Sequence, residues 1–168
     1  SYPGEYLVGK AAPVHLMTAA EIAFLKAECA LFGLGGTDAN GHYRNGIQLA
    51  MERVGVDEDD ITAFLATEAA TLSGTTEEQF EQICTQMWLA LVPNMSEAYS
   101  MMRRTGYPVI PQRTNPLLSK GVTNGYLPKR LKYPYTVEKT LNGENMQEAI
   151  DRMGSDKIDN PVWWDVRD

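Results

Sequence analysis

Five prolines crowd the stretch between Gly106 and Thr136: Pro108, Pro111, Pro116, Pro128 and Pro134. Each removes an amide donor and clashes with the turn before it, so sustained helix is excluded there. The stretch is also too apolar for a solvated linker, since it carries Val109, Ile110, Leu117, Leu118, Leu127, Leu131 and four tyrosines. It is expected to be an extended, ordered wrap over the preceding helices. One short helix, Asn142 to Met153 with Gly154 as its stop, interrupts the remainder before Pro161-Val162-Trp163-Trp164. Residues 17–106 are thus expected as a helical portion and 107–168 as the wrap.

Upstream of Gly106 the punctuation is helical. Thr18-Ala19-Ala20-Glu21 is a capping box with Met17 and Ile22 at the staple positions, which predicts a helix over 18–32 ended by Gly33. Its apolar face is expected to be Ile22, Leu25, Cys29 and Phe32. A second helix is predicted from Asp38 to Val54, with Tyr43, Ile47, Ala50, Met51 and Val54 on one face. Gly41 and Gly46 lie inside it, and a helical glycine often marks a close helix contact. The Gly-rich turn Gly33-Leu34-Gly35-Gly36 makes the two an antiparallel hairpin. A third helix is expected from Asp57 to just before Gly74 through Ile61, Phe64, Leu65, Ala69 and Leu72. A second capping box, Thr75-Thr76-Glu77-Glu78, opens a fourth helix that runs to Pro93. The box-like Asn94-Met95-Ser96-Glu97 opens a fifth that ends at Gly106. The chain is therefore expected to be all-α.

Composition excludes several classes. With 43% hydrophobic and 22% charged residues over 168 positions, the chain has the make-up of a folded domain. Its longest apolar run, Met87 to Val92, is far too short to span a bilayer. The start, Ser1-Tyr2-Pro3-Gly4-Glu5, has neither a basic nor an apolar leader region, so the chain is expected to be a piece of a longer protein. Net charge is −7, yet Arg103 to Lys139 holds eight basic residues against one acid. That stretch is expected to pair with the chain's own acidic segments, because the whole molecule repels polyanions. Nucleic acid is not an expected partner.

The side-chain chemistry is equally restrictive. Cys29 and Cys84 lie on predicted apolar faces and are expected to be buried thiols. His15 and His42 have no ligand spacing around them, so no metal is expected. Asp57-Glu58-Asp59-Asp60 lacks the alternating calcium pattern and suits the first turn of a helix. No nucleophile elbow, phosphate loop or dinucleotide fingerprint occurs, and neither catalysis nor a cofactor is expected. Aromatic residues remain. Rings stack on sugar faces while neighbouring polar groups take the hydroxyls. Tyr43, at the tip of a helix pair, and Tyr126, in a loop, are the candidate ligand-binding residues because rings can be exposed at both places. Trp88 and Trp164 are expected to serve folding instead.

The run Met17-Thr18-Ala19-Ala20-Glu21-Ile22-Ala23-Phe24-Leu25-Lys26-Ala27-Glu28 resembles a helix of the SusD/RagB family. The likeness continues through Tyr43-Arg44-Asn45-Gly46-Ile47, Thr85-Gln86-Met87-Trp88-Leu89-Ala90-Leu91 and Arg103-Arg104-Thr105-Gly106-Tyr107-Pro108. Leu127-Pro128-Lys129-Arg130, Asn142-Gly143-Glu144-Asn145 and Val162-Trp163-Trp164-Asp165 complete it, in family order. Met87 stands where the family usually has Lys, and Tyr99 where it usually has Trp. The resemblance implies that the first two helices form a tetratricopeptide-like hairpin within the C-terminal part of a longer fold. It implies a surface-exposed outer-membrane lipoprotein, anchored through an upstream lipid, that captures glycans for a SusC-like TonB-dependent transporter. The N-terminal remainder of the same protein would be a further partner. The alternative function is a helical-repeat module that binds peptides or a protein partner.

Overall fold

The computed structural model describes Gly4 and residues 9–115, 121–134 and 141–165. These hold six α-helices and no strand: α1 (Ala19–Leu31), α2 (Ala39–Arg53), α3 (Glu58–Leu65), α4 (Thr76–Ala90), α5 (Met95–Thr105) and α6 (Gly143–Met153). A 3-10 turn, Glu68–Ala70, follows α3. The chain divides into two compact units, Ser1–Pro108 and Val109–Asp168.

Local chemistry sets the helix starts in the first unit. The Glu21 amide donates to Thr18 Oγ1 at 3.1 Å and the Thr18 amide to Glu21 Oε2 at 3.4 Å. Thr75 and Glu78 repeat this reciprocal box at α4. Asp38 caps α2 from a left-handed conformation, accepting from the Gly41 amide at 2.8 Å. A Cβ on Gly41 would collide with that carboxylate, so the cap requires glycine there.

The hairpin of α1 and α2 closes on Gly46. A Cβ at that position would lie 2.7 Å from the ring of Phe24, which is fully buried. This close approach decides which side of α1 faces inward. The buried residues are Ala20, Ala23, Phe24 and Ala27, three small side chains and one aromatic knob, together with Glu21 of the capping box. The expected face is therefore corrected: Ile22 and Cys29 are exposed, Leu25 packs against the core, and Phe32, partly exposed just past the helix, sets its ring edge-on to the buried Phe80. On α2 the expected face holds for Tyr43 and Ile47, while Val54 stays exposed.

The third predicted helix breaks into two pieces for a reason that lies on α2. Asn40, Tyr43 and Arg44 share one side of that helix. Arg44 Nη1 donates to Leu65 O at 2.8 Å and to Ala70 O at 3.3 Å. Tyr43 donates its hydroxyl to Ala69 O at 2.9 Å, and Asn40 accepts from the Leu72 amide at 2.8 Å. Thr67 takes the Phe64 carbonyl through both its amide and its hydroxyl. The carbonyls that would continue the helix are thus already occupied, and α3 stops at Leu65.

Helix α4 places Phe80, Ile83, Cys84, Met87 and Ala90 in the core, with Trp88 half-buried against it. Arg53 of α2 donates from Nη2 to Ala90 O at 2.7 Å and Val92 O at 3.0 Å, so a cation sits on the carbonyl end of α4. Arg104, near the end of α5, forks onto both carboxylate oxygens of Glu28 on α1. Tyr107 packs edge-on to Phe80 and donates its hydroxyl to Glu77 at 2.7 Å.

In the second unit the described backbone from Val109 to Pro134 is irregular, as its prolines dictate. The Arg113 amide donates to Gly125 O at 3.0 Å. The amides of Lys129 and Arg130 both donate to Ile158 O. Arg130 pairs with Asp156 at 2.9 Å, both side chains largely buried, and its guanidinium lies over the Tyr133 ring. The two basic residues Arg104 and Arg130 thus pair with the chain's own acids. Helix α6 is amphipathic but has no fully buried residue.

Candidate functional site

Tyr43 sits where α2 meets the interrupted stretch after α3. Its ring is 1% exposed and packs edge-on to Phe24, with centroids 6.1 Å apart. Burial pushes the phenol up to about 12. The exposure expected for this ring is corrected: it anchors the hairpin to Ala69 instead of standing free at a tip. Reaching it required knowing that α3 breaks and turns an unpaired carbonyl toward α2. The signal available was the polar trio Asn40, Tyr43 and Arg44 at helical spacing.

Beside Tyr43 opens a cleft of about 460 Å³. Its floor is Tyr43 and Ala69, its rim is Ser73-Gly74, and its far wall is the polar stripe of α4. That stripe, Glu78, Glu81, Gln82, Thr85 and Gln86, repeats at i, i+3, i+4, i+7 and i+8, the side of α4 opposite to its apolar face. Two members are held in place. Gln82 exchanges hydrogen bonds with both backbone groups of Ser73 (2.9 and 3.3 Å), and Glu78 is locked in its capping box. Donation from the Thr75 amide, then the Thr75 hydroxyl, holds the Glu78 carboxyl below its usual range, so it stays charged. No basic side chain lines the cleft.

A second hollow, about 550 Å³, lies between α2, α3 and α4 and shares Gln86 with the cleft. Ile47, Met51, Val54, Phe64, Leu89 and Val92 make it almost wholly apolar. It offers little to a hydroxyl-rich ligand.

Tyr126 belongs to the second unit, and there the expectation of an exposed ring matches its 57% exposure. Its backbone closes a turn with Thr123, whose hydroxyl donates to Tyr126 O at 2.7 Å. Trp163 and Trp164 pack edge-on to one another, 5.2 Å between centroids, and remain 86% and 61% exposed. Trp164, expected to serve folding, is thus largely exposed, its ring packed against Trp163. Cys84 is buried as expected, whereas Cys29 is exposed because it rides on the outer side of α1. Among the described residues no group of His, Cys, Asp and Glu converges as a metal site, and no helix is long and apolar enough to cross a membrane.

Comparison with known proteins places this arrangement. Residues 3–134 match the SusD-like family described as "Starch-binding associating with outer membrane". A SusD homologue from Bacteroides uniformis is 32% identical and superposes with a TM-score of 0.76 over 95% of this chain and 38% of its own. One from Bacteroides fragilis is 36% identical, with a TM-score of 0.69 over 86% of this chain and 34% of its own. A chitin-binding SusD homologue from Flavobacterium johnsoniae is 29% identical, with a TM-score of 0.73 over 92% and 37%. No curated protein matches significantly. The chain spans little more than a third of the length of these structures. The match runs over residues 3–134 and the backbone superposes on that of solved members, and the chain belongs to the SusD-like proteins.

Proposed function

We propose that this chain is the C-terminal part of a surface lipoprotein that captures glycans, without turnover, for import through a SusC-like TonB-dependent transporter. The observation that carries this is family membership along 132 contiguous residues, together with solved relatives described as chitin-binding. An upstream lipid supplies the only membrane attachment in this reading, and nucleic acid has no part in it. A stacking and hydroxyl-bonding site on an open surface gives modest affinity, about 10 μM to 1 mM. Affinity electrophoresis of the intact protein in gels cast with neutral polysaccharides tests the binding. Retardation without release of reducing ends is expected, and unretarded migration in every gel would contradict it. Co-purification of a large β-barrel protein from outer membranes tests the transporter.

The apolar hollow supports a second reading, in which this unit binds a peptide or protein surface. Sugar sites need several convergent polar groups, and in this hollow only Arg53 and Gln86 stand among the apolar side chains. Retention on immobilised peptides, with none on glycans, would favour it.

A further inference from the structure

The polar stripe of α4 has an unusual setting. The outward side of an amphipathic helix normally faces bulk water. Here it faces a wall, across a cleft whose volume lies within the roughly 300–1,000 Å³ typical of small-molecule sites. Gln82 and Glu78 spend their side chains on Ser73 and Thr75, which fixes the cleft's shape. Glu81, Thr85 and Gln86 are the uncommitted groups. Among the described residues none of the three makes a side-chain hydrogen bond, and together they offer a carboxylate, a hydroxyl and an amide. Opposite them, the exposed Ala69 forms a low apolar floor above the buried Tyr43 ring, with Ser73-Gly74 at the rim. An apolar floor facing convergent acceptors and donors is what a pyranose ring requires.

The charge of the cleft narrows the ligand. Glu78 and Glu81 line it and no cation does. A carboxylate accepts strongly from a sugar hydroxyl and repels a second carboxylate brought beside it. We infer that this cleft is a sugar subsite selective for uncharged pyranose units, with Glu81, Thr85 and Gln86 taking the hydroxyls and the two glutamates rejecting uronic acids. The inference rests on the glycan-capture function proposed above and adds a place and a specificity to it.

Titration calorimetry on the intact protein tests this with three probes: a malto-oligosaccharide, a chito-oligosaccharide and an oligogalacturonide. The wild type is expected to bind a neutral probe at least tenfold more tightly than the uronide. Glu81→Ala with Gln86→Ala should weaken the neutral probe tenfold or more, and Ala69→Trp, which fills the floor from an exposed position, should do the same. Glu81→Gln should narrow the gap between neutral and uronide probes. Unchanged melting temperatures in these variants establish that the fold is intact. Neutral binding that survives both the double variant and Ala69→Trp would overturn the subsite and leave glycan capture standing. Tighter binding of the uronide than of either neutral probe would overturn the specificity. No binding of any probe by the wild type would overturn both this inference and the function beneath it.

Discussion

Tyr43 shows how one side chain ties a hairpin to the segment that follows it. Its hydroxyl donates to Ala69 O at 2.9 Å from a ring that is almost wholly buried. Tyr43→Phe keeps the ring and loses that bond, and should cost about 1 kcal/mol in chemical denaturation. The phenol also predicts a pH effect. Its folded pKa, about 12, lies above the ordinary 10.0, so the folded state holds the proton more tightly than the unfolded chain. Stability from this group is complete below pH 10 and falls as pH rises toward 12. Melting curves over that window should decline in the wild type, and the decline should shrink in Tyr43→Phe. Gly46 is the counterpart across the hairpin. Alanine there gains about 1 kcal/mol of helix propensity, yet its Cβ meets the buried Phe24 ring at 2.7 Å. Overpacking of this kind costs about 1–3 kcal/mol, so Gly46→Ala should be destabilising and Gly46→Val more so. Denaturant titration decides the sign.

At the scale of elements, what the sequence made legible was what neighbours in the chain decide. Thr18 with Glu21, and Thr75 with Glu78, open their helices within a residue of where the capping pattern puts them, because each box closes over three residues. Gly106 and Gly154 end theirs in the left-handed region for an equally local reason. The inward side of α1 was not legible. Ile22, Leu25, Cys29 and Phe32 repeat at helical spacing just as Ala20, Phe24 and Ala27 do, and only contact with Gly46 of α2 chooses between them. The break after α3 was hidden likewise, since Arg44 and Tyr43 reach it from more than twenty residues away. The capping box at α4 carries its own prediction. Thr75 holds the Glu78 carboxyl below its usual 4.5, so the folded state binds that proton less readily than the unfolded chain. The contribution is present above pH 4.5 and is lost as pH falls through the lower folded value. Glu78→Gln should therefore flatten the acid side of the stability profile, measured by melting temperature against pH.

For the molecule as a whole, the first unit carries two different surfaces on one scaffold. The cleft beside Tyr43 is polar and acidic, while the hollow under Val54 and Leu89 is apolar. Val54 and Leu89 are both half-exposed there, and contiguous apolar surface of this kind marks a place where another surface packs. The 168-residue chain, studied by itself, should bind a hydrophobic dye, and Leu89→Lys should lower the fluorescence without lowering the melting temperature. Equal fluorescence in both would place the dye elsewhere. Of the two candidate tyrosines, Tyr126 kept the exposure that a stacking role needs, and Tyr43 became the floor of a cleft that no sequence motif announced, because its walls come from three separate elements. The central claim is glycan capture, and isothermal titration of the intact protein against a panel of neutral polysaccharides, with a peptide pool alongside, tests it most directly. Saturable binding to at least one glycan with a dissociation constant of about 10 μM to 1 mM, roughly 4–7 kcal/mol, is the predicted result. Binding to peptides and to no glycan would contradict it.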